Sequence, residues 1–82
     1  MTDPKFDGWN YRVILSEVRG HKEYTVHEVY YADDGSILAW SGIEACPYGE
    51  TKKELAGCFK RMREALDRPV LVRGEMPGME GK

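Results

Sequence analysis
The chain has 82 residues, 41% hydrophobic and 32% charged, with a formal net charge of −2 and a pI near 5.6. That length holds one small domain and excludes a large core, because a chain of this size buries only about 60% of the surface its unfolded form exposes. The acidic balance argues against nucleic-acid binding, which depends on Lys and Arg neutralising phosphates. No apolar run approaches the roughly 20 residues of a membrane span.

From the N-terminus, residues 1–8 carry a single aromatic and read as a flexible tail without the basic-then-apolar layout of a signal peptide, so a cytoplasmic location is expected. The foldable domain is 9–72. Residues 73–82, with three Gly, one Pro and four charges, read as a second flexible tail.

Three strand-like runs follow one another: Tyr11 to Val18, Glu23 to Tyr31 and Ser36 to Ile43. Gly20-His21 suits a two-residue hairpin loop, which would set Leu15 opposite Val26, Ile14 opposite His27 and Val13 opposite Glu28. Ala32-Asp33-Asp34-Gly35-Ser36 has the residues of a three-residue loop ending in a left-handed Gly, which would pair Ala32 with Ser36, Tyr30 with Leu38 and Glu28 with Trp40.

Side chains alternate along a strand, so these pairings sort the sheet into two faces. Tyr11, Val13, Leu15, Tyr24, Val26, Glu28, Tyr30, Leu38 and Trp40 share the first. Arg12, Ile14, Ser16, Val18, Thr25, His27, Val29, Tyr31, Ile37, Ala39 and Ser41 share the second. The first is the more aromatic and is expected to take the helix.

That helix is announced by Thr51 with Glu54 three residues on, a capping box, and is expected over about Lys52 to Asp67. Leu55, Phe59, Met62 and Leu66 recur at 4-3-4 spacing, with Cys58 and Ala65 widening the stripe, which predicts a buried helix face with Phe59, like Trp40, in the core. Pro69 ends the helix. Val70-Leu71-Val72 reads either as a short fourth strand or as a segment packing the helix end. The fold class is therefore α+β: a three-stranded antiparallel meander with one C-terminal helix on one face.

Chemistry is sparse. Glu28 on the helix-facing side could be a buried general acid or base, or could pair with Tyr30 or a helix cation. His27 opposite Ser41 suggests a base and nucleophile, but no acid orients the imidazole and no glycine elbow surrounds the serine. Cys46 and Cys58 are too far apart in sequence for a CxxC motif, and with His21 and His27 they offer no zinc spacing, so two free thiols and no metal or cofactor are expected. The helix cations Lys52, Lys53, Lys60, Arg61 and Arg63 read as a solvated face.

The functional expectation is a non-enzymatic interaction module. The second face has no helix to cover it, so Arg12, Ile14, His27, Val29, Tyr31, Ile37, Ala39 and Ser41 would form the contact surface of a homodimer or of a protein partner, with the exposed edge of a strand as the alternative contact. The alternative cover for that face is the N-terminal segment, with Phe6 and Trp9 folded over it. A small ligand-binding or enzymatic domain around Glu28 or His27 is the competing reading.

The segments Tyr11-Arg12-Val13-Ile14-Leu15, His27-Glu28-Val29-Tyr30-Tyr31, Asp34-Gly35, Trp40, Gly49-Glu50-Thr51, Glu54-Leu55 and Pro69-Val70-Leu71 together resemble a set of short uncharacterised bacterial proteins. Gly49-Glu50-Thr51-Lys52-Lys53-Glu54-Leu55-Ala56 is also similar to the start of the last helix in double-stranded-RNA-binding domains. More distantly, the β-β-β-α order and the Gly49-Glu50-Thr51-x-x-Glu54-Leu55 helix entry are similar to HicB-type antitoxins. That resemblance implies an antitoxin or RNA-binding module whose partner is a small toxin.

Overall fold
The computed structural model of the protein describes residues 8–76. Its strands are β1 (Trp9–Val18), β2 (His21–Tyr31), β3 (Ile37–Trp40) and β4 (Leu71–Val72), with one helix, α1 (Lys52–Glu64). They form a single sheet in the order β3-β2-β1-β4, antiparallel except for β4, which runs parallel to β1. The α+β class, the meander and the C-terminal helix are as expected, and Leu71-Val72 takes the fourth-strand alternative. Residues 1–7 and 77–82 of the two expected tails, Phe6 among them, lie outside the described residues.

The first hairpin turns one residue earlier than the Gly20-His21 loop. Arg19 and Gly20 both have positive φ, 53° and 83°, the backbone of a type I′ turn, so Val18 pairs with His21. Leu15 then faces Tyr24 instead of Val26, a slip of two positions. An even slip leaves every side chain on its expected face.

The second hairpin is different. Its loop is the expected one: Ala32 N–H donates to the Ser36 carbonyl at 2.8 Å and Gly35 N–H to the Ala32 carbonyl at 2.9 Å. Beyond it the ladder shifts between Tyr30 and Tyr31, so Tyr31 pairs with Ile37 but Tyr30 pairs with Ala39. Leu38 is the extra residue of a bulge. Trp40 therefore pairs with Val29 on the second face, and Ala39 moves to the first.

Both faces carry a core. On the first, Tyr11 and Val13 pack with Cys58 and Ala65, bordered by Trp9, Val26, Ala45 and Met62. On the second, Ile14, Val29 and Trp40 pack with Tyr31, Ile37, Leu71 and Met76. The expected tail does not begin at 73: Arg73–Glu75 form a 3-10 turn that lies on this second face. The Arg73 guanidinium sits 4.8 Å from the Trp40 ring centroid and its Nε donates to Ser16 Oγ at 2.7 Å.

The helix buries one edge of the expected stripe and leaves the other exposed. Cys58 and Ala65 are buried, while Phe59 and Leu66 are 54% and 62% exposed. Small side chains at the contact let α1 approach Tyr11 and Val13 closely, and the bulky residues are left on its flank. The cap forms as expected at Thr51, whose Oγ1 accepts from Glu54 N–H at 3.0 Å; the Glu54 carboxylate reaches back to Glu50 N–H at 2.9 Å.

Trp40 is core as expected, although on the other face, and Phe59 is not. Trp40→Ala should cost roughly 3–5 kcal/mol, enough to unfold so small a domain, whereas Phe59→Ala should cost under about 1 kcal/mol. Urea unfolding followed by tryptophan fluorescence, with circular dichroism for the Trp40 variant, measures both.

Candidate functional site
The residues singled out for the second face are brought together, but as an interior. Ile14, His27 and Val29 are fully buried, and Arg12, Tyr31, Ile37 and Ser41 are half-buried. Ala39 is also half-buried but stands on the first face, opposite Tyr30. The exposed apolar patch expected there does not exist, because Trp40 and the Arg73–Met76 segment cover it. Trp9, the other proposed cover, lies on the first face, edge-on to Tyr11 at 5.1 Å.

His27 is the centre of a closed polar network. Its Nδ1 lies 2.8 Å from the Ser41 carbonyl oxygen, which can only accept, so Nδ1 carries the proton. In the neutral ring Nε2 then accepts from the Thr25 hydroxyl at 2.7 Å. The Trp40 ring stands edge-on 5.6 Å away. The Ser41 hydroxyl meanwhile accepts from Glu28 N–H at 3.2 Å. His27 and Ser41 are thus neighbours, yet imidazole and hydroxyl do not meet as base and nucleophile.

Arg12 fastens the sheet to the segment after the helix. Its Nη1 donates to the Tyr31 hydroxyl at 2.9 Å and its Nη2 to the Pro69 carbonyl at 2.8 Å, and Tyr31 donates on to Asn10 Oδ1 at 2.6 Å. Its buried Nε finds no hydrogen-bond partner among the described residues.

Glu28 stands on the first face, half-buried and opposite Tyr11. It accepts from the Tyr30 hydroxyl, and that bond, with burial and the carboxylate charge, holds Tyr30 above the ordinary phenol range. Of the structural partners expected for Glu28, Tyr30 is the one present. Tyr11 is pushed up to about 12, first by burial and then by its 3.7 Å contact with Cys58 Sγ. Cys58 is a buried free thiol that also reaches Met62 Sδ at 3.8 Å, and Cys46 is a free, exposed one. Among the described residues no three or more His, Cys, Asp and Glu side chains converge as a metal site.

The surface that remains open is the helix-bearing side, which pattern reading treated as core. Ala45 N–H donates to the Val26 carbonyl at the β2 edge, and the chain past α1 returns to β1 at Pro69 and Leu71. The helix therefore crosses the strands. Five rows of cross-strand pairs lie on this face: Trp9–Tyr30, Tyr11–Glu28, Val13–Val26, Leu15–Tyr24 and Glu17–Lys22. A helix about 10–12 Å across covers roughly two rows at about 3.4 Å per residue. Those rows are Tyr11's and Val13's.

The flanks of α1 can be told apart. Arg61 acts on the Tyr11 phenol, and Gly57 and Arg61 line an open groove of about 660 Å³ with Tyr48 and Gly49. Gly49 lies so close to the helix that a Cβ there would fall 2.3 Å from Leu55 N. Phe59 sits about 100° round the helix from Cys58 and Arg61 about 60° the other way. Phe59 and Leu66 thus look over the nearer of the rows that α1 leaves bare on that side, Tyr24–Leu15–Val72, which spans β2, β1 and β4. Tyr24 is 63% exposed and Val72 38%. The signal for this surface was present in the sequence as Cys58 and Ala65, the small residues that widen the helix stripe to one side.

Comparison of the chain with protein-family models, with curated proteins and with solved structures gives no match. No helix of the described residues is long and apolar enough to cross a membrane.

Two outcomes test the buried groups. His27→Ala should destabilise by roughly 2–4 kcal/mol, because it opens a cavity and strands the Ser41 carbonyl and Thr25 hydroxyl; urea unfolding at pH 7 reads it. For Tyr11 the folded state favours the protonated phenol, so its contribution is complete below about pH 10 and is lost as pH rises towards 12. Wild type should therefore lose more stability than Tyr11→Phe between pH 9 and 11.5 in paired denaturation curves.

Proposed function
We propose that this protein is a non-enzymatic protein-interaction module whose docking surface is the helix-bearing side of the sheet, anchored by Tyr24, Phe59, Leu66 and Val72. The observation that carries the reading is the exposure of these four apolar side chains around one bare row of the sheet. Together they present a surface on the order of a few hundred Å², the size that on small proteins commonly marks an interaction site. Two of the four are aromatic, the residue class favoured as interface anchors.

The chemistry of the second face supports the non-enzymatic half of the proposal. His27, Thr25 and the Ser41 carbonyl satisfy one another inside a closed core, and the Ser16 hydroxyl is occupied by Arg73. Groups spent in this way specify packing and are not free to meet a substrate.

The test uses two baits, wild type and Phe59→Asp/Leu66→Asp, checked by circular dichroism to have the same fold. In quantitative affinity capture from the native host, a protein held by wild type should be at least tenfold depleted on the double variant. Capture profiles that do not differ between the baits would refute the reading.

A further inference from the structure
Resting on the docking side identified above, we propose that its occupant is an acidic amphipathic α-helix supplied by a partner protein, lying beside α1 on the row Tyr24–Leu15–Val72. The dimensions select a helix. Beyond α1 the face carries two bare rows, Leu15–Tyr24 and Glu17–Lys22, a floor about 13 Å long along the strands. One helix is about 10–12 Å across, so the space holds one more and no second layer.

The floor runs across three strands at its apolar row, because Val72 of β4 continues the Leu15–Tyr24 pair. Phe59 on α1 and Leu66 in the 3-10 turn that follows it, Ala65–Asp67, form its side wall. A helix lying parallel to α1 would set one apolar stripe on Tyr24, Leu15 and Val72 and turn the edge of that stripe against Phe59 and Leu66.

Charge gives the sign of the partner. Past Phe59 the outer surface of α1 turns to Lys52, Lys60 and Arg63, all exposed, and Lys22 rises from the far row of the floor. Glu17 and Asp67 are the acids on this side. The rim is therefore cationic in a chain whose formal net charge is −2. Glu or Asp flanking the apolar stripe of the incoming helix would meet these cations and speed its arrival. The same charges disfavour a second copy, because the outer face of its α1 would bring Lys53, Lys60 and Arg63 to a rim of like sign.

The probe is a lactam-stapled 14-residue helical peptide with Leu at positions i, i+3, i+4, i+7 and i+11 and mainly Glu elsewhere. Its control carries Lys in place of each Glu. Titrated into the ¹⁵N-labelled protein, the acidic peptide should move the amide resonances of Leu15, Tyr24, Phe59, Leu66 and Val72, and the control should bind at least tenfold more weakly. Tyr24→Glu and Phe59→Asp, each folded by circular dichroism, should each weaken the acidic peptide at least tenfold.

Equal binding of the two peptides, shifts elsewhere on the sheet, or none at all would overturn the proposal. So would a dimer in sedimentation that Phe59→Asp dissolves, since the occupant would then be a second copy. If the peptide fails while the capture experiment still yields a partner lost on the double variant, the docking side stands and only the helical acidic occupant is wrong.

Discussion

One residue too many in the third strand decides how this molecule is sealed. The bulge at Leu38 moves Trp40 from the helix side of the sheet to the opposite face, where its indole fills the space above Val29 and Ile14 and stands against His27. Without that half-turn the second face would have only Ile37 as a large side chain at the β3 edge. With it, a short segment after β4 is enough to finish the cover, and Arg73 does so by stacking on the indole it finds there. His27, Thr25 and the Ser41 carbonyl under this roof are bonded to one another, which is the condition for burying them at tolerable cost.

The helix side follows from what the bulge removed. With Trp40 gone to the other face, the first face is packed by Tyr11, Val13 and two small helix residues, Cys58 and Ala65. Close approach there is bought by leaving Phe59 and Leu66 on the flank. Because α1 crosses the strands, it shelters only the middle of a long hairpin, and the sheet continues past it as a bare apolar row. An interior that is complete on one face and half finished on the other gives the molecule a direction.

How much of this was legible in the sequence depended on whether an error was even or odd. The first hairpin slips by two positions from the register its Gly20-His21 turn suggests, and all its side chains keep their faces. The second slips by one, and Trp40 and Ala39 change sides. Nothing in the run Ser36-Ile37-Leu38-Ala39-Trp40 marks the bulge, since its extra residue is a leucine with ordinary strand preferences, not a glycine. The capping box at Thr51 was readable because it is local. Which edge of the broad helix stripe is buried was not, because that rests on how near the sheet comes. The candidate site suffered most: its eight residues were grouped largely correctly, but a roof made from the last described residues turned a predicted surface into a core.

That roof also sets an order of events. Ser16 and Arg73, joined side chain to side chain, are separated by 57 positions in the chain. A nascent polypeptide emerging from the ribosome can close its first hairpin early, from neighbouring residues, but the indole of Trp40 has no cover on its outer side until Arg73 has cleared the exit tunnel. Contacts this distant along the chain are the slow ones to form. Until then the chain holds an open apolar sheet, the kind of intermediate on which chaperones act, and the segment that carries Arg73 is the one that ends the exposure.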